Sequence, residues 1–365
     1  MKNKFVVFTF LIALFGLFFA NLFTPDRALS YSERRRLAQL PAIDYQKVMN
    51  GDVMDGFDTY ATDQFIGREF FRGVKTFFDR NALLKRDTNG LFEAQGSIFT
   101  IEYPLREDKV AYLCARMNAL YDTYLTGMNV YYTLIPDKNY YLPDNAGYLR
   151  MDYDKMAELV RNGMPTEAKY IDMFGKLSLS NYYQSDGHWR QETLGPVVDT
   201  LAEAMGMPAA FDASQYYPLE HYPFYGAYYG QLAGMADPDT LVWLESDVTI
   251  DAEVSSLSQP TRDDLTVYYE DGLGGMDSYD VYLYGAQPLI ILDNPHNTSG
   301  RGLILVRDSY GSSLAPLLLD NYSRITIIDL RYITQELLAD FVSFEDQDVL
   351  IMYSTTIVNN SDIIR

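Results

Sequence analysis

A mostly parallel α/β sheet behind an N-terminal membrane-targeting segment is the architecture that this 365-residue sequence predicts. Three observations lead there. Strand-like apolar runs alternate with helical periodicities through the last third of the chain, a β-rich run from Gly127 to Pro136 ends at a proline, and Phe5 to Phe23 carries no charge. With 48% hydrophobic residues the chain can bury a substantial core, and it suits one large domain with an appended arm. A formal charge of −21 repels a phosphate backbone and no arginine-rich stripe offsets it, which argues against nucleic acid as a partner.

The first 25 residues form the predicted anchor. Lys2 and Lys4 precede the apolar run, whose only polar side chains are Thr9 and Asn21, and a helix of this length nearly spans a hydrocarbon core. Bulky Phe18 occupies a position where a cleavable signal prefers a small residue before Ala20, so an uncleaved anchor is expected, with the domain outside the cytoplasm. Cleavage would instead make the domain secreted. Arg27, Arg34, Arg35 and Arg36 follow the span and weaken the positive-inside signal, although Asp26 and Glu33 lie among them.

Residues 26–80 read as a juxtamembrane linker and a helical arm. Thr24 to about Leu40 is polar, basic and proline-bounded. Apolar positions then recur at helical spacing through Phe57, Tyr60, Ala61, Phe65, Phe70, Phe71, Val74, Phe77 and Phe78, interrupted by Gly67, which predicts helices packed on something. Asp63 and Arg68 are expected to tie these helices to the core.

Residues 81–365 carry the α/β pattern. A helix over Lys109 to Tyr124 precedes the strand that ends at Pro136, and Leu194, Val197, Val198, Leu201 and Met205 fall on one helical stripe closed by Gly206. Leu303 to Val306 reads as a strand, Asp308 to Gly311 as a turn, and Leu314 to Leu319 as a helix. Strands at Ile325–Ile328 and Val349–Tyr353 follow, with helical Thr334–Val342 between them. An insertion at about 207–300 is acidic: from Leu201 to Gly300 there are sixteen Asp and Glu, against Arg262 as the one Lys or Arg. A solvated surface explains this composition, as does a cation-binding or substrate-lid role beside the sheet's ligand-binding edge. Cys114 alone allows no intrachain disulfide, and the three histidines His188, His221 and His296 are too scattered for a zinc pattern. No metal or other cofactor is expected.

Two segments far apart in sequence carry the chemistry. Ser185-Asp186-Gly187-His188-Trp189 offers a carboxylate two residues before an imidazole, and Arg307-Asp308-Ser309-Tyr310-Gly311-Ser312-Ser313 puts a serine between a strand and a helix. A serine hydroxyl attacks an acyl carbon only when a base takes its proton and donors stabilise the oxyanion. Here His188 is the candidate base, Asp186 its orienter and Ser309 the nucleophile, with the Ser309 and Tyr310 amides as oxyanion donors. The same residues also have ordinary readings: a turn with a side-chain cap for Asp308 to Gly311, and a core aromatic for Trp189. Lys138 and Arg331, each after a strand, are candidates for substrate contact or for surface ion pairs.

The chain resembles the DHHW protein family, related to the alginate O-acetylation proteins and to the wider SGNH hydrolase superfamily. The resemblance lies in ordered blocks: Ser32-Glu33-Arg34-Arg35-Arg36-Leu37, Asp63-Gln64-Phe65-Ile66-Gly67-Arg68, Ile135-Pro136-Asp137-Lys138, Asp186-Gly187-His188-Trp189, Leu305-Val306-Arg307-Asp308-Ser309-Tyr310-Gly311 and Ile328-Asp329-Leu330-Arg331-Tyr332. It implies an SGNH-like three-layer α/β/α domain with Asp186, His188 and Ser309 as its site. It further implies acetyl transfer to, or removal from, an extracellular polysaccharide, with a membrane-bound acyltransferase as partner. Tyr310, Ser312, Arg331, Lys138 and Trp189 are the accompanying oxyanion or substrate-binding candidates. Gly187 replaces the first histidine of the naming motif, and Ser312 stands where relatives carry asparagine. An inactive polysaccharide-binding or assembly protein of the same fold is the alternative.

Overall fold

The structure is a computed structural model describing residues 2–232 and 237–365; Met1 and residues 233–236, the latter within the acidic stretch, lie outside the described residues. Its centre is a seven-stranded sheet built from β1 (Asn129–Ile135), β2 (Lys169–Ile171), β3 (Glu253–Ser256), β4 (Leu289–Asp293), β5 (Gly302–Arg307), β6 (Arg324–Ile328) and β7 (Asp348–Ser354). The spatial order is β2-β1-β7-β5-β6-β4-β3, parallel from β2 to β6, with β4 antiparallel to both its neighbours. The expected mostly parallel sheet is therefore present. Its parallel strands all end on one edge, where loops from β1, β5, β6 and β7 converge.

The strands are apolar on both faces because both faces are covered. Leu303, Leu305, Leu350 and Met352 point into one core with Trp189, Val197, Val198 and Leu201, while Ile304, Val306, Val349 and Ile351 point into the other with Val110, Leu113, Met117 and Met156. Helix Gly195–Met205 covers the first face, and helices Glu107–Leu120 and Tyr153–Gly163 cover the second. Gly206 ends the first of these in the left-handed region at φ 59°. Cys114 is buried where helix Glu107–Leu120 meets Gly163: a Cβ on that glycine would lie 2.7 Å from its Sγ, so both residues are small for packing.

Some elements differ from expectation. The helix after β5 begins at Tyr310 rather than Leu314, and it tightens into a 3₁₀ segment at Ala315–Asn321 where Pro316 removes a backbone donor. The segment after β6 is a 3₁₀ turn, Gln335–Asp340. The acidic stretch packs into the domain. Its strands Tyr217–Phe224 and Asp239–Glu245 form a hairpin, and Leu241, Trp243, Val267, Tyr268, Val281 and Tyr282 are buried in the same core as helix Gly195–Met205.

The N-terminal region departs most. Helix Lys2–Phe23 is, by length and composition, able to cross a membrane, with a mean hydropathy of 2.4 over Lys4–Phe23. The segment expected as a linker folds back instead: Leu29–Ser30 pairs with Arg35–Arg36 in a small hairpin. The arm helices Asp52–Asp63 and Arg68–Asn81 are present, broken at Gly67 with φ 72°. Yet Phe57, Phe70, Phe71, Phe77 and Phe78 are exposed, whereas Asp63, Thr76 and Asp79 are buried. The arm thus docks through its polar face, because its counter-charges lie on the hairpin. Arg35 forks onto Asp63 (Nη2–Oδ1 2.5 Å, Nη1–Oδ2 2.9 Å), and Arg68 forks mainly onto Glu33, its closest approach to Asp63 being 3.7 Å.

The hydrogen-bonded Arg35 guanidinium, helped by the Ala38 amide and opposed by burial, lowers the Asp63 carboxyl to about 2. A folded-state value below the unfolded one contributes stability that is present above pH of about 4 and lost as pH falls through about 2. Asp63→Asn is expected to remove on the order of 1–2 kcal/mol at neutral pH and to flatten this acid dependence. Urea midpoints of both proteins at pH 6 and pH 3 check it; an unchanged difference between them would contradict the pairing.

Candidate active site

The turn after β5 is clamped from three sides. Arg307 is fully buried, and its Nη1 donates to Asp329 Oδ2 at 3.0 Å, so the buried cation is compensated at the base of the turn. Asp308 Oδ1 accepts from the Tyr310 amide at 3.0 Å and Oδ2 from the Ser354 amide at 2.7 Å, which binds the turn to the end of β7. A Cβ at Gly311 would meet Arg307 Cβ at 2.6 Å, hence glycine. Ser309 stands at the start of the following helix with no side-chain capping bond and is partly exposed, in contrast to buried Asp308 and Tyr310 on either side.

The Ser185–Trp189 loop is held against this turn. Ser185 Oγ donates to Asp239 Oδ2 at 2.6 Å and accepts from the Gly226 amide, Tyr310 Oη donates to Gly187 O at 2.6 Å, and Trp189 Nε1 donates to Tyr310 O and to Ser313 Oγ at 2.8 Å. These contacts bring three side chains into line: His188 Nδ1 lies 2.6 Å from Asp186 Oδ1, and His188 Nε2 lies 2.7 Å from Ser309 Oγ. With the ring proton on Nδ1 facing the carboxylate, Nε2 accepts from the serine hydroxyl. Tyr279 stacks on the imidazole at 4.0 Å and 15°, which restricts ring rotation.

Asp186 is buried and takes four donors. Oδ1 accepts from His188 Nδ1 and the His188 amide, and Oδ2 accepts from the Ala227 amide at 2.7 Å and from Arg34 Nη1 at 3.1 Å. Burial alone pushes its carboxyl up, but His188, Arg34 and the Ala227 amide together hold it well below the usual carboxylate range. Arg34 also pairs with Asp277. It sits in the hairpin turn at φ 53°, a left-handed conformation that a non-glycine residue rarely takes. The N-terminal segment thus supplies a cation directly to the carboxylate of the array.

The structure therefore brings Asp186, His188 and Ser309 together and gives other roles to their expected companions. Lys138 is buried, with Nζ donating to Tyr183 O at 2.9 Å and Gln184 O at 3.1 Å, so it braces the segment leading to Asp186 instead of facing a ligand. Burial pushes its ammonium down to about 7, against the pull of Asp186, Asp239 and Asp137. Trp189 is fully buried and acts as a strut. Arg331 forks onto Asp329 at 2.9 and 2.7 Å, beside Arg307. The Tyr310 amide is already engaged by Asp308 and is not a free oxyanion donor. Ser312 is buried, and its Oγ has no hydrogen-bond partner among the described residues. Arg34, Tyr279 and the Ala227 amide were missed by sequence reasoning. Only Arg34 left a signal, in the Ser32–Leu37 block.

Gly187 has a steric reason. A Cβ there would lie 2.5 Å from the Tyr228 hydroxyl, so Tyr228 fills space that a side chain at position 187 needs. Gly187→His is expected to shift the loop and lower Ser309 reactivity roughly tenfold or more, and Tyr228→Ala in the same chain to recover part of it. Rates of Ser309 modification by a sulfonyl fluoride in the single and double variants check this; equal rates in both would remove Tyr228 as the cause.

No protein-family model matches this chain, and no curated protein matches it. Solved structures do. A DHHW family protein from Eubacterium siraeum superposes with a TM-score of 0.62 at 18% identity, covering 76% of this chain and 97% of its own. Bacillus cereus PatB1 superposes with a TM-score of 0.58 both free, at 15% identity, and with a sulfonyl adduct, at 14% identity; each match covers 73% of this chain and at least 96% of PatB1. The chain thus has the fold of a DHHW family protein and of PatB1.

Proposed function

We propose that this chain is an extracytoplasmic, serine-dependent O-acetyltransferase acting on a cell-surface or secreted polysaccharide. The observation that carries the reading is the unbroken line from Asp186 through His188 to a partly exposed Ser309, at 2.6 and 2.7 Å. Ser309 Oγ attacks the donor's acetyl carbonyl while His188 Nε2 takes its proton. The donor's C–O bond breaks, its leaving oxygen receives that proton, and an acetyl ester remains on Ser309. A sugar hydroxyl then attacks the ester, giving its proton to His188, which returns it to Ser309 Oγ. Asp186 stays ionised throughout and stabilises the imidazolium. With the Tyr310 amide engaged, the Ser309 amide is the oxyanion donor that this turn offers. Acetyl as the group, polysaccharide as the acceptor and a membrane-bound acyltransferase as the donor's source come from the family resemblance. Water as acceptor would make the same site an acetylesterase.

The test is acetyl-ester turnover by the full chain in detergent, with and without soluble glycan acceptors, beside Ser309→Ala, His188→Ala and Asp186→Asn. Each is expected to fall roughly 10³-fold or more, and acetylated glycan among the products identifies a transferase. PatB1 has been seen with a sulfonyl adduct, so phenylmethylsulfonyl fluoride is a fitting second probe, expected to modify Ser309. Equal turnover in all four proteins would overturn the reading.

Arg34→Ala should lower kcat about ten- to hundredfold with KM little changed, because it loosens the carboxylate that orients His188 without touching the ester. Gly230→Ala should reproduce this, since its Cβ would collide with the Ser32 carbonyl and displace the hairpin that carries Arg34. Full activity in both variants would show that the hairpin contributes nothing to the site.

A further inference from the structure

Helix Arg68–Asn81 is inside out. Its polar side is turned inward, with Thr76 and Asp79 buried and Arg72 Nη2 donating to Gly230 O, while Phe70 and Phe77 are 69% and 59% exposed. Phe71 and Phe78 lie beside them, and Met54 and Phe57 of the preceding helix are exposed as well. Each such side chain forgoes the gain of apolar burial over the area that faces water. An apolar face of this kind marks an interaction surface.

The chain itself indicates what covers it. Three hydrogen bonds pin the bend between the arm helices to the exit of the apolar N-terminal helix: Asn21 Oδ1 accepts from the Ile66 amide at 2.6 Å, Gln64 Oε1 accepts from the Arg27 amide at 2.9 Å, and Tyr60 Oη donates to Asp26 Oδ1 at 3.0 Å. A helix inserted up to Phe23 therefore holds this bend at the level of the bilayer surface. From there the 14-residue helix extends about 21 Å, long enough to lie along that surface. Lys75 and Arg80 on this helix and Lys85 just beyond it are exposed while paired, Lys75 and Lys85 with Asp79 and Arg80 with Glu93, so the acids that this stretch turns inward are met by cations and leave no uncompensated negative charge beside the aromatic face. Residues 26–86 hold eleven Lys and Arg against nine Asp and Glu, in a chain whose net charge is −21, so this region escapes the repulsion that the rest of the chain meets at an anionic membrane.

We propose that the aromatic face of the arm, centred on Phe70, Phe71, Phe77 and Phe78, is seated in the lipid headgroup region as a second membrane contact beside helix Lys2–Phe23. The inference rests on that helix being membrane-inserted. The bilayer then covers the aromatic face while the opposite face grips the hairpin that carries Arg34, which holds the Ser309 site close to the membrane surface.

The experiment uses the full chain in nanodiscs of phosphatidylcholine and phosphatidylglycerol, with buried Cys114 replaced by alanine and an environment-sensitive fluorophore on Phe71→Cys, Phe78→Cys or, as a control on the α/β domain, Tyr217→Cys. All three label sites are exposed, so folding is not at stake. Lipids carrying a quencher near the headgroup are expected to dim the labels at 71 and 78 about twofold or more and to leave the label at 217 unchanged. Labels at 71 and 78 as weakly quenched as the control would overturn the proposal. So would labels that are shielded from water yet not quenched by lipid, which would mean that a second copy of the chain covers the face. A chain that fails to enter the discs would overturn the insertion of helix Lys2–Phe23 and this inference together, whereas an unquenched chain inside discs overturns the inference alone.

Discussion

The buried carboxylate of Asp186 is the constraint around which the rest of the structure is arranged. A fully desolvated anion is tolerated only if its oxygens are saturated with donors and its charge is met nearby. No single segment supplies that. The imidazole and one amide come from its own loop, a second amide comes from Ala227 in the acidic stretch, and the countercharge comes from Arg34, 152 residues earlier. Three parts of the chain that looked separable are thereby joined at one side chain. The acidic stretch belongs to the domain because it carries Ala227, Asp239, Asp277 and Tyr279 to this place.

The other half of the array rests on the sheet. Ser309 needs only to emerge from the edge of β5 at a fixed angle, and the buried Arg307–Asp329 pair and the two bonds of Asp308 fix that angle. These charged residues face inward at the carboxyl ends of parallel strands, where backbone donors and acceptors leave the ladder and need partners. A neighbouring network does the same for β1: Asp137 accepts from Tyr153 Oη at 2.8 Å and from Thr355 Oγ1 at 2.9 Å, which fastens the β1 loop to the end of β7. The edge is stiff before any ligand arrives, which is what the acyl transfer proposed for Ser309 requires.

Much of this was legible in the sequence because it is local or periodic. The apolar runs of β1, β5, β6 and β7 and the stripe closed by Gly206 follow from spacing alone, while Asp186, His188 and Ser309 are offered by residue chemistry beside ordinary readings and are singled out only with the family resemblance. What sequence could not carry was pairing at long range. Lys138 and Arg331 look alike as cations after strands, and only tertiary contact shows that both are engaged by buried acceptors. The run Arg34-Arg35-Arg36 reads as charge that weakens the positive-inside signal of the apolar segment, yet Arg34 meets Asp186 and Arg35 meets Asp63. Gly187 looked like a lost histidine until Tyr228 occupied the space above it.

The arm shows how a correct periodicity can mislead about direction. A stripe of phenylalanines predicts a helix, and the helix is there, but the rule that the apolar side faces the core presumes that water is the alternative environment. In the membrane contact proposed for the arm the alternative includes lipid, and the ordering can invert without penalty. The polar face is then free to specify docking by ion pairs whose geometry is directional, Arg35 on Asp63 and Arg68 on Glu33, where a greasy interface would tolerate sliding. Directional docking matters here because the hairpin held by those pairs ends in Arg34, and a carboxylate at 3.1 Å responds to small displacements of the guanidinium. Inverting the arm therefore serves one end: the segment between helix Lys2–Phe23 and the sheet becomes a rigid element whose register with Asp186 is set by charge.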